Sequence, residues 1–152
     1  MQQSIDHQTP RKLRAGVVGL GVGEAHLRSY MAIDGVEVAA ICDIDPARLA
    51  EIGDRYGVGR RETDYRAITE NPSIDVVSIC SYDDCHAEHL LSALRNGKHV
   101  MVEKPVVLRR REAEEVYRAL VDSGCKITSN FILRQSPRFR AIKQLIEQGA
   151  FG

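Results

Sequence analysis

Residues 13–23 read LRAGVVGLGVG, and this stretch decides the fold. The apolar run at 13–19 is long enough for a buried strand and too short for a helix. A glycine turn, Gly19-Leu20-Gly21-Val22-Gly23, follows it, and helical periodicity takes over from 23 to about 34. A strand feeding a helix through three glycines is a backbone that must turn sharply and leave space beside itself.

Each glycine has its own reason. Gly19 permits the tight turn. Gly21 lets the chain approach a diphosphate that a Cβ would strike. Gly23 allows the helix to pack against the strand. The helix start adds amide hydrogens and a positive dipole end for an anion. The spacing G-x-G-x-G is one residue shorter than G-x-G-x-x-G, and position 24 is Glu. An inward Glu24 would repel a diphosphate, so its side chain is expected to face solvent. The same spacing also occurs where S-adenosylmethionine is bound, so the turn alone leaves that alternative open.

Outward from this unit, strands and helices alternate. Strands are expected at 36–42, 75–80, 98–102 and 126–131, with a short edge strand within 57–64. Helices are expected at 46–56, 64–70, 84–96, 109–123 and 137–149. Asp45-Pro46 reads as an N-cap followed by Pro at the first helical position. Helix 84–96 carries Ala87, Leu90, Leu91 and Leu94 on one face, and helix 109–123 carries Ala113, Val116 and Leu120, with Tyr117 as a further member. This alternation predicts an α/β fold, a doubly wound parallel sheet of six strands in the order 3-2-1-4-5-6, the Rossmann fold. A tail at 1–12, a dinucleotide-binding domain at 13–136 and a leaving helix at 137–152 complete the expected organisation.

Composition narrows the function. The 152 residues hold 21 Lys and Arg against 21 Asp and Glu, no Trp and 5% aromatics. This excludes a whole-chain basic field and an aromatic platform, so no nucleic-acid partner is expected. No apolar run approaches the roughly 20 residues of a membrane span, and Met1 to Lys12 lacks a secretory core. Cys42, Cys80, Cys85 and Cys125 form no C-x-x-C pair, which reads as reduced thiols of a cytoplasmic protein. Asp84, Cys85, His86 and His89 lack the paired spacing of a metal site. Arg109-Arg110-Arg111 reads as a solvated helix face.

Ligands of doubly wound sheets sit at the carboxyl ends of the strands. Asp43 closes the second strand 22 residues after Gly21 (43 − 21), near the roughly 20 expected of a ribose-binding carboxylate. Such a carboxylate accepts from ribose hydroxyls and repels a 2′-phosphate, and the apolar Ile44 beside it offers no cation. NAD is therefore expected over NADP.

Residues 97–105 read GKHVMVEKP. Together with GLGVGEAH at 19–26, CDIDPARL at 42–49, HAEHLLSAL at 86–94 and SPRFRAIKQLIEQGAFG at 136–152, this segment resembles the Gfo/Idh/MocA family of oxidoreductases. The resemblance runs from about Arg14 to the end of the sequence. It implies a catalytic or substrate-orienting role for Lys104, whose ammonium could stabilise developing alkoxide or polarise a carbonyl beside a nicotinamide. By the same resemblance Glu103 lines the cofactor site, and Ser81, Tyr82, His86, Asn130 and Arg134 match cofactor-contacting positions. Gly19, Leu20, Gly21, Val22, Gly23, Asp43 and Ile44 make up the adenosine side. The Ser81-Tyr82-Asp83 loop departs from the Thr-Pro-Asn type frequent in the family, which loosens the assignment of its individual contacts.

The resemblance also implies a second, substrate-bearing domain beyond residue 152, carrying the acid/base pair and most homo-oligomer contacts. Substrate must lie roughly 3–3.5 Å from the reacting carbon, and these 152 residues offer no second wall to hold it there. The expected activity is hydride transfer on a sugar, inositol or related polyol, with this stretch binding the cofactor. A non-catalytic dinucleotide-sensing module is the alternative.

Overall fold

A computed structural model describes residues 11–150. The expected tail at 1–12 falls almost wholly outside these residues. Arg11, at its end, is tied to the domain, its guanidinium donating to Asp75 at 2.7 Å.

Six strands form one sheet: β1 (Leu13–Val18), β2 (Val36–Cys42), β3 (Arg61–Glu62), β4 (Val76–Ile79), β5 (His99–Val102) and β6 (Ile127–Ser129). The helices are α1 (Gly23–Met31), α2 (Pro46–Tyr56), α3 (Arg66–Thr69), α4 (His86–Arg95), α5 (Arg110–Ser123) and α6 (Pro137–Glu147). Strand order is β3-β2-β1-β4-β5-β6, and every pairing is parallel. The expected Rossmann order therefore holds. The chain reverses its direction of winding between β1 and β4, so the crevice opens where those two strands end, beside Gly19 and Cys80.

The central strands β1, β2, β4 and β5 bury apolar residues beneath helices on both faces, as a parallel sheet requires, and the short β3 and β6 form its edges. One core layer packs Leu27, Leu49 and Ile52 of α1 and α2 with Val17, Leu20 and Ile41. The other packs Leu90 and Leu94 of α4 and Val116 of α5 with Val77, Ile79, Val100 and Val102. Full burial of each such Leu or Ile contributes about 2 kcal/mol. On α5 the buried stripe is Val116 with Ala119 and Leu120. Ala113 and Tyr117, counted on that face from periodicity, are exposed instead.

Local chemistry sets the boundaries. Asp45 caps α2 by accepting the amides of Ala47 and Arg48, with Pro46 at the first position. Gly57 and Gly124 end α2 and α5 in the left-handed conformation. Two short 3-10 turns were not expected, Asp83–Cys85 before α4 and Ile132–Gln135 before α6. Arg109, Arg110 and Arg111 pair with Glu112, Glu114 and Glu115 on the solvated side of α5.

Candidate functional site

A cleft of about 670 Å³ opens at the carboxyl ends of β1, β2 and β4. Gly19, Gly21 and Val22 form its floor, Asp43, Ile44 and Arg48 one wall, and Tyr65, Ser81, Tyr82 and His89 the other.

The glycine loop is built as its spacing implies. Gly19 has φ +85°, and a Cβ there would collide with the carbonyl of Cys80. A Cβ on Gly23 would stand 2.9 Å from Cγ1 of Val17 and 3.3 Å from Cβ of Cys80, so this glycine sets the closeness of α1 to the sheet. Gly21 differs: a Cβ there meets no protein atom nearer than Nη1 of Arg48 at 4.0 Å. The space it would fill belongs to the cleft. Val22 begins α1 with no side-chain cap, so no capping side chain competes for the helix-start amides.

The Glu24 side chain is 31% exposed and is paired at the surface. Its Oε1 accepts from Arg55 at 2.8 Å and from the Tyr56 hydroxyl at 2.7 Å, both at the end of α2. The Tyr56 hydrogen bond, reinforced by that of Arg55, holds its carboxyl below the usual range. The acid is thus turned away from the loop and neutralised.

Asp43 is 6% exposed and does more than the ribose reading supposed. Oδ2 accepts the Leu20 amide at 2.7 Å, and Oδ1 accepts the Asp45 amide at 2.9 Å. The carboxylate therefore pins the glycine loop to the end of β2 while one edge lines the cleft. Leu20 itself is buried in the core below. Ile44 is 72% exposed at the rim.

On the opposite wall, Ser81 Oγ lies 2.9 Å from Nδ1 of His89, and the His89 ring stacks on Tyr65 with centroids 4.0 Å apart. Burial pushes His89 down to about 4, so a neutral ring faces the cleft at ordinary pH. Sequence reading assigned this place to His86. The structure corrects it: His86 is fully buried, with Nδ1 2.7 Å from the Pro105 carbonyl and Nε2 3.1 Å from the Ser81 carbonyl. It staples the β4 and β5 loops together and presents nothing to the cleft.

Glu103 is corrected in the same way. It is 8% exposed and sits in a polar cluster between α1, β4, β5 and β6. Its Oε1 accepts from Asn130 Nδ2 at 2.6 Å and lies 3.1 Å from Nε2 of His26, and Oε2 accepts the Lys104 amide at 3.2 Å. Burial alone would raise its pKa, but the hydrogen bonds from Asn130, His26 and Lys104 outweigh this and hold the carboxyl below its ordinary value. An ionised carboxylate only accepts. His26 thus donates through Nε2, and its Nδ1 lies 3.1 Å from Ser78 Oγ, which in turn meets the Tyr30 hydroxyl at 2.9 Å. Asn130, expected at the cofactor, is likewise spent on Glu103.

Lys104 lies exposed just past β5, outside the cleft lining, and its ammonium makes no hydrogen bond among the described residues. Arg134 stands on the 3-10 turn before α6, its guanidinium 5.6 Å from the Phe131 ring centroid. Sequence reading missed His26, Arg48, Tyr65 and His89. Burial pushes the thiols of Cys42 and Cys80, both in the cleft lining, up to about 12. Among the described residues no helix is long and apolar enough to cross a membrane.

A parallel sheet of this order, with a glycine loop open to a cleft at its switch point and a carboxylate closing β2, defines a Rossmann domain of the dinucleotide-binding class. Residues 13–131 match the model of the Gfo/Idh/MocA oxidoreductase family, NAD-binding Rossmann fold, and the chain belongs to that family. It is similar to the uncharacterized oxidoreductase YrbE of Bacillus subtilis (30% identity, covering 93% of this chain and 42% of that protein). It is also similar to myo-inositol 2-dehydrogenase of Thermotoga maritima (29%, 92% and 42%). The structure of scyllo-inositol dehydrogenase from Lactobacillus casei, with bound NAD(H) and scyllo-inositol, superposes with a TM-score of 0.83 at 30% identity, covering 93% of this chain and 43% of that one. The chain thus spans less than half the length of these relatives.

Proposed function

We propose that this chain is the cofactor-binding half of an NAD-dependent dehydrogenase acting on a secondary alcohol of an inositol, sugar or related polyol. The observation that carries the reading is the bare face of Gly21, opening into a cleft whose wall is the buried Asp43. A diphosphate fits where the Cβ is missing, and an adenosine ribose fits against the Asp43 edge.

The residues divide the work. The loop at Gly19–Gly23 binds the diphosphate through backbone amides. Asp43 holds the loop and takes the ribose hydroxyls. Tyr65, Tyr82 and His89 wall the adenosine end with uncharged rings. When bound, nicotinamide supplies hydride transfer. Lys104 stands free at the end of β5, where its ammonium can donate to the substrate oxygen, and Glu103, held by His26 and Asn130, fixes the Lys104 backbone. The polyol class rests on the inositol dehydrogenases among the relatives.

Titration of the chain with NADH, followed by nicotinamide fluorescence, tests the reading. Saturable binding, with none of S-adenosylmethionine, is expected. Absence of NADH binding at millimolar concentration in a folded chain would refute it.

A further inference from the structure

The cleft is poor in positive charge for a site that holds a diphosphate. Asp43, Asp45 and Asp64 line it, and among the described lining residues Arg48 is the only Lys or Arg. The start of α1 contributes about half a unit charge, and a diphosphate carries two negative ones. Arg48, on the first turn of α2, is 46% exposed and reaches back over the glycine loop. Its Nη1 lies 4.0 Å from where a Cβ on Gly21 would stand, and 3.8 Å from Oδ2 of Asp43.

That second distance is too long for a hydrogen bond, and each Asp43 oxygen already accepts one amide, from Leu20 and from Asp45, with lone pairs to spare for a ligand. Among the described residues the Arg48 guanidinium donates no hydrogen bond at all. A planar fork of donors, unspent and suspended over the bare face of the loop, matches the bidentate geometry of a phosphate. Two other arginines of this side of the sheet are committed: Arg55 to Glu24 and Glu51, and Arg61 to Asp54.

We propose that Arg48 is a cofactor-binding residue that clamps the dinucleotide diphosphate against Gly21 from the α2 side. This rests on the cleft being the dinucleotide site. Arg48 also offsets the acidity of Asp43, so that the carboxylate can meet the ribose without repelling the neighbouring phosphates.

The test is titration of the chain with NADH and with NADPH at two salt concentrations, comparing wild type with Arg48→Ala, Arg48→Lys and Arg110→Ala. Arg110 carries the same charge on the distant α5 face. Loss of a charge-assisted contact in Arg48→Ala should weaken both cofactors by the same factor, about tenfold, and flatten the salt dependence. Arg48→Lys should recover part of the loss, and Arg110→Ala should match wild type. Thermal melting should show Arg48→Ala folded; Arg48→Gln serves if it is not. An NADH affinity within twofold of wild type in the folded variant overturns the clamp, whether or not NADPH weakens, because an arginine serving only a 2′-phosphate would spare NADH. If wild type itself binds no NADH, the reading of the cleft fails instead.

Discussion

Oδ2 of Asp43 accepts the amide hydrogen of Leu20 at 2.7 Å, joining the end of β2 to the middle of the glycine loop. The residue proposed to recognise the ribose is therefore also the residue that ties down the glycine loop. Replacing it should damage both functions. Asp43→Ala strands the Leu20 and Asp45 amides and should cost about 1–3 kcal/mol in urea unfolding. It should also weaken NADH and narrow the gap to NADPH. Asp43→Asn keeps one acceptor oxygen but sets its NH2 against the other amide, so it should recover only part of the stability while still admitting NADPH. Loss of NADH binding with full stability in Asp43→Ala would show that the loop holds itself.

Gly21 and Gly23 should separate cleanly. Gly21→Ala meets only the flexible end of Arg48, so its thermal midpoint should stay near wild type while NADH affinity falls at least tenfold. Gly23→Ala presses on Val17 and Cys80 and should destabilise by about 1–3 kcal/mol, as overpacked cores do. A Gly21→Ala variant that binds NADH normally would place the diphosphate elsewhere.

Strand order, the glycine turn and the Asp45 cap were legible because each is local: alternation, spacing and capping are written in consecutive residues. The pairing of His26 with Glu103 spans 77 residues and joins α1 to β5. No periodicity announces it. His86 and His89 lie three apart on one helix, about 60° around its axis, so an apolar pattern could not tell which faces the cleft. Arg48 was not legible because Ile44, the residue directly after Asp43, is apolar, and only the first turn of α2 carries an arginine back over the loop. The exposed face of α6, with Phe139, Ile142 and Leu145, was legible as a helix but not in what it packs against.

Acid should act through two groups in turn. His89 is held at about 4 against an ordinary 6.5. The unfolded chain takes up its proton first, so stability from this group is full above 6.5 and lost as pH falls toward 4. The lowered Glu103 contributes stability above its ordinary 4.5 that is lost as pH falls below that value. Urea midpoints measured at pH 7, 5 and 4 should fall for wild type and fall less for His89→Gln. Equal slopes in the two proteins would show that the His89 ring is protonated as readily folded as unfolded.

His26→Ala should cost about 3 kcal/mol, because it leaves the Glu103 charge partly unpaired in a buried setting. Glu103→Gln should recover some of that loss in the His26→Ala background by removing the charge. A double mutant no better than His26→Ala alone would mean that the cluster is held by Asn130 and not by the imidazole.

Lys104→Ala should leave NADH affinity within about threefold, since its ammonium stands outside the cleft lining and charge screening at an exposed site leaves little cofactor energy to lose. A loss as large as that of Gly21→Ala would make Lys104 a cofactor clamp and remove it from substrate chemistry.

A crystal of the chain grown with NADH puts the dinucleotide geometry on view. Its diphosphate should rest on the Gly21 backbone, with the adenosine ribose hydroxyls within hydrogen-bonding distance of Asp43. Density for the dinucleotide at any other surface, or a Gly21 face closed over by protein side chains, would contradict it.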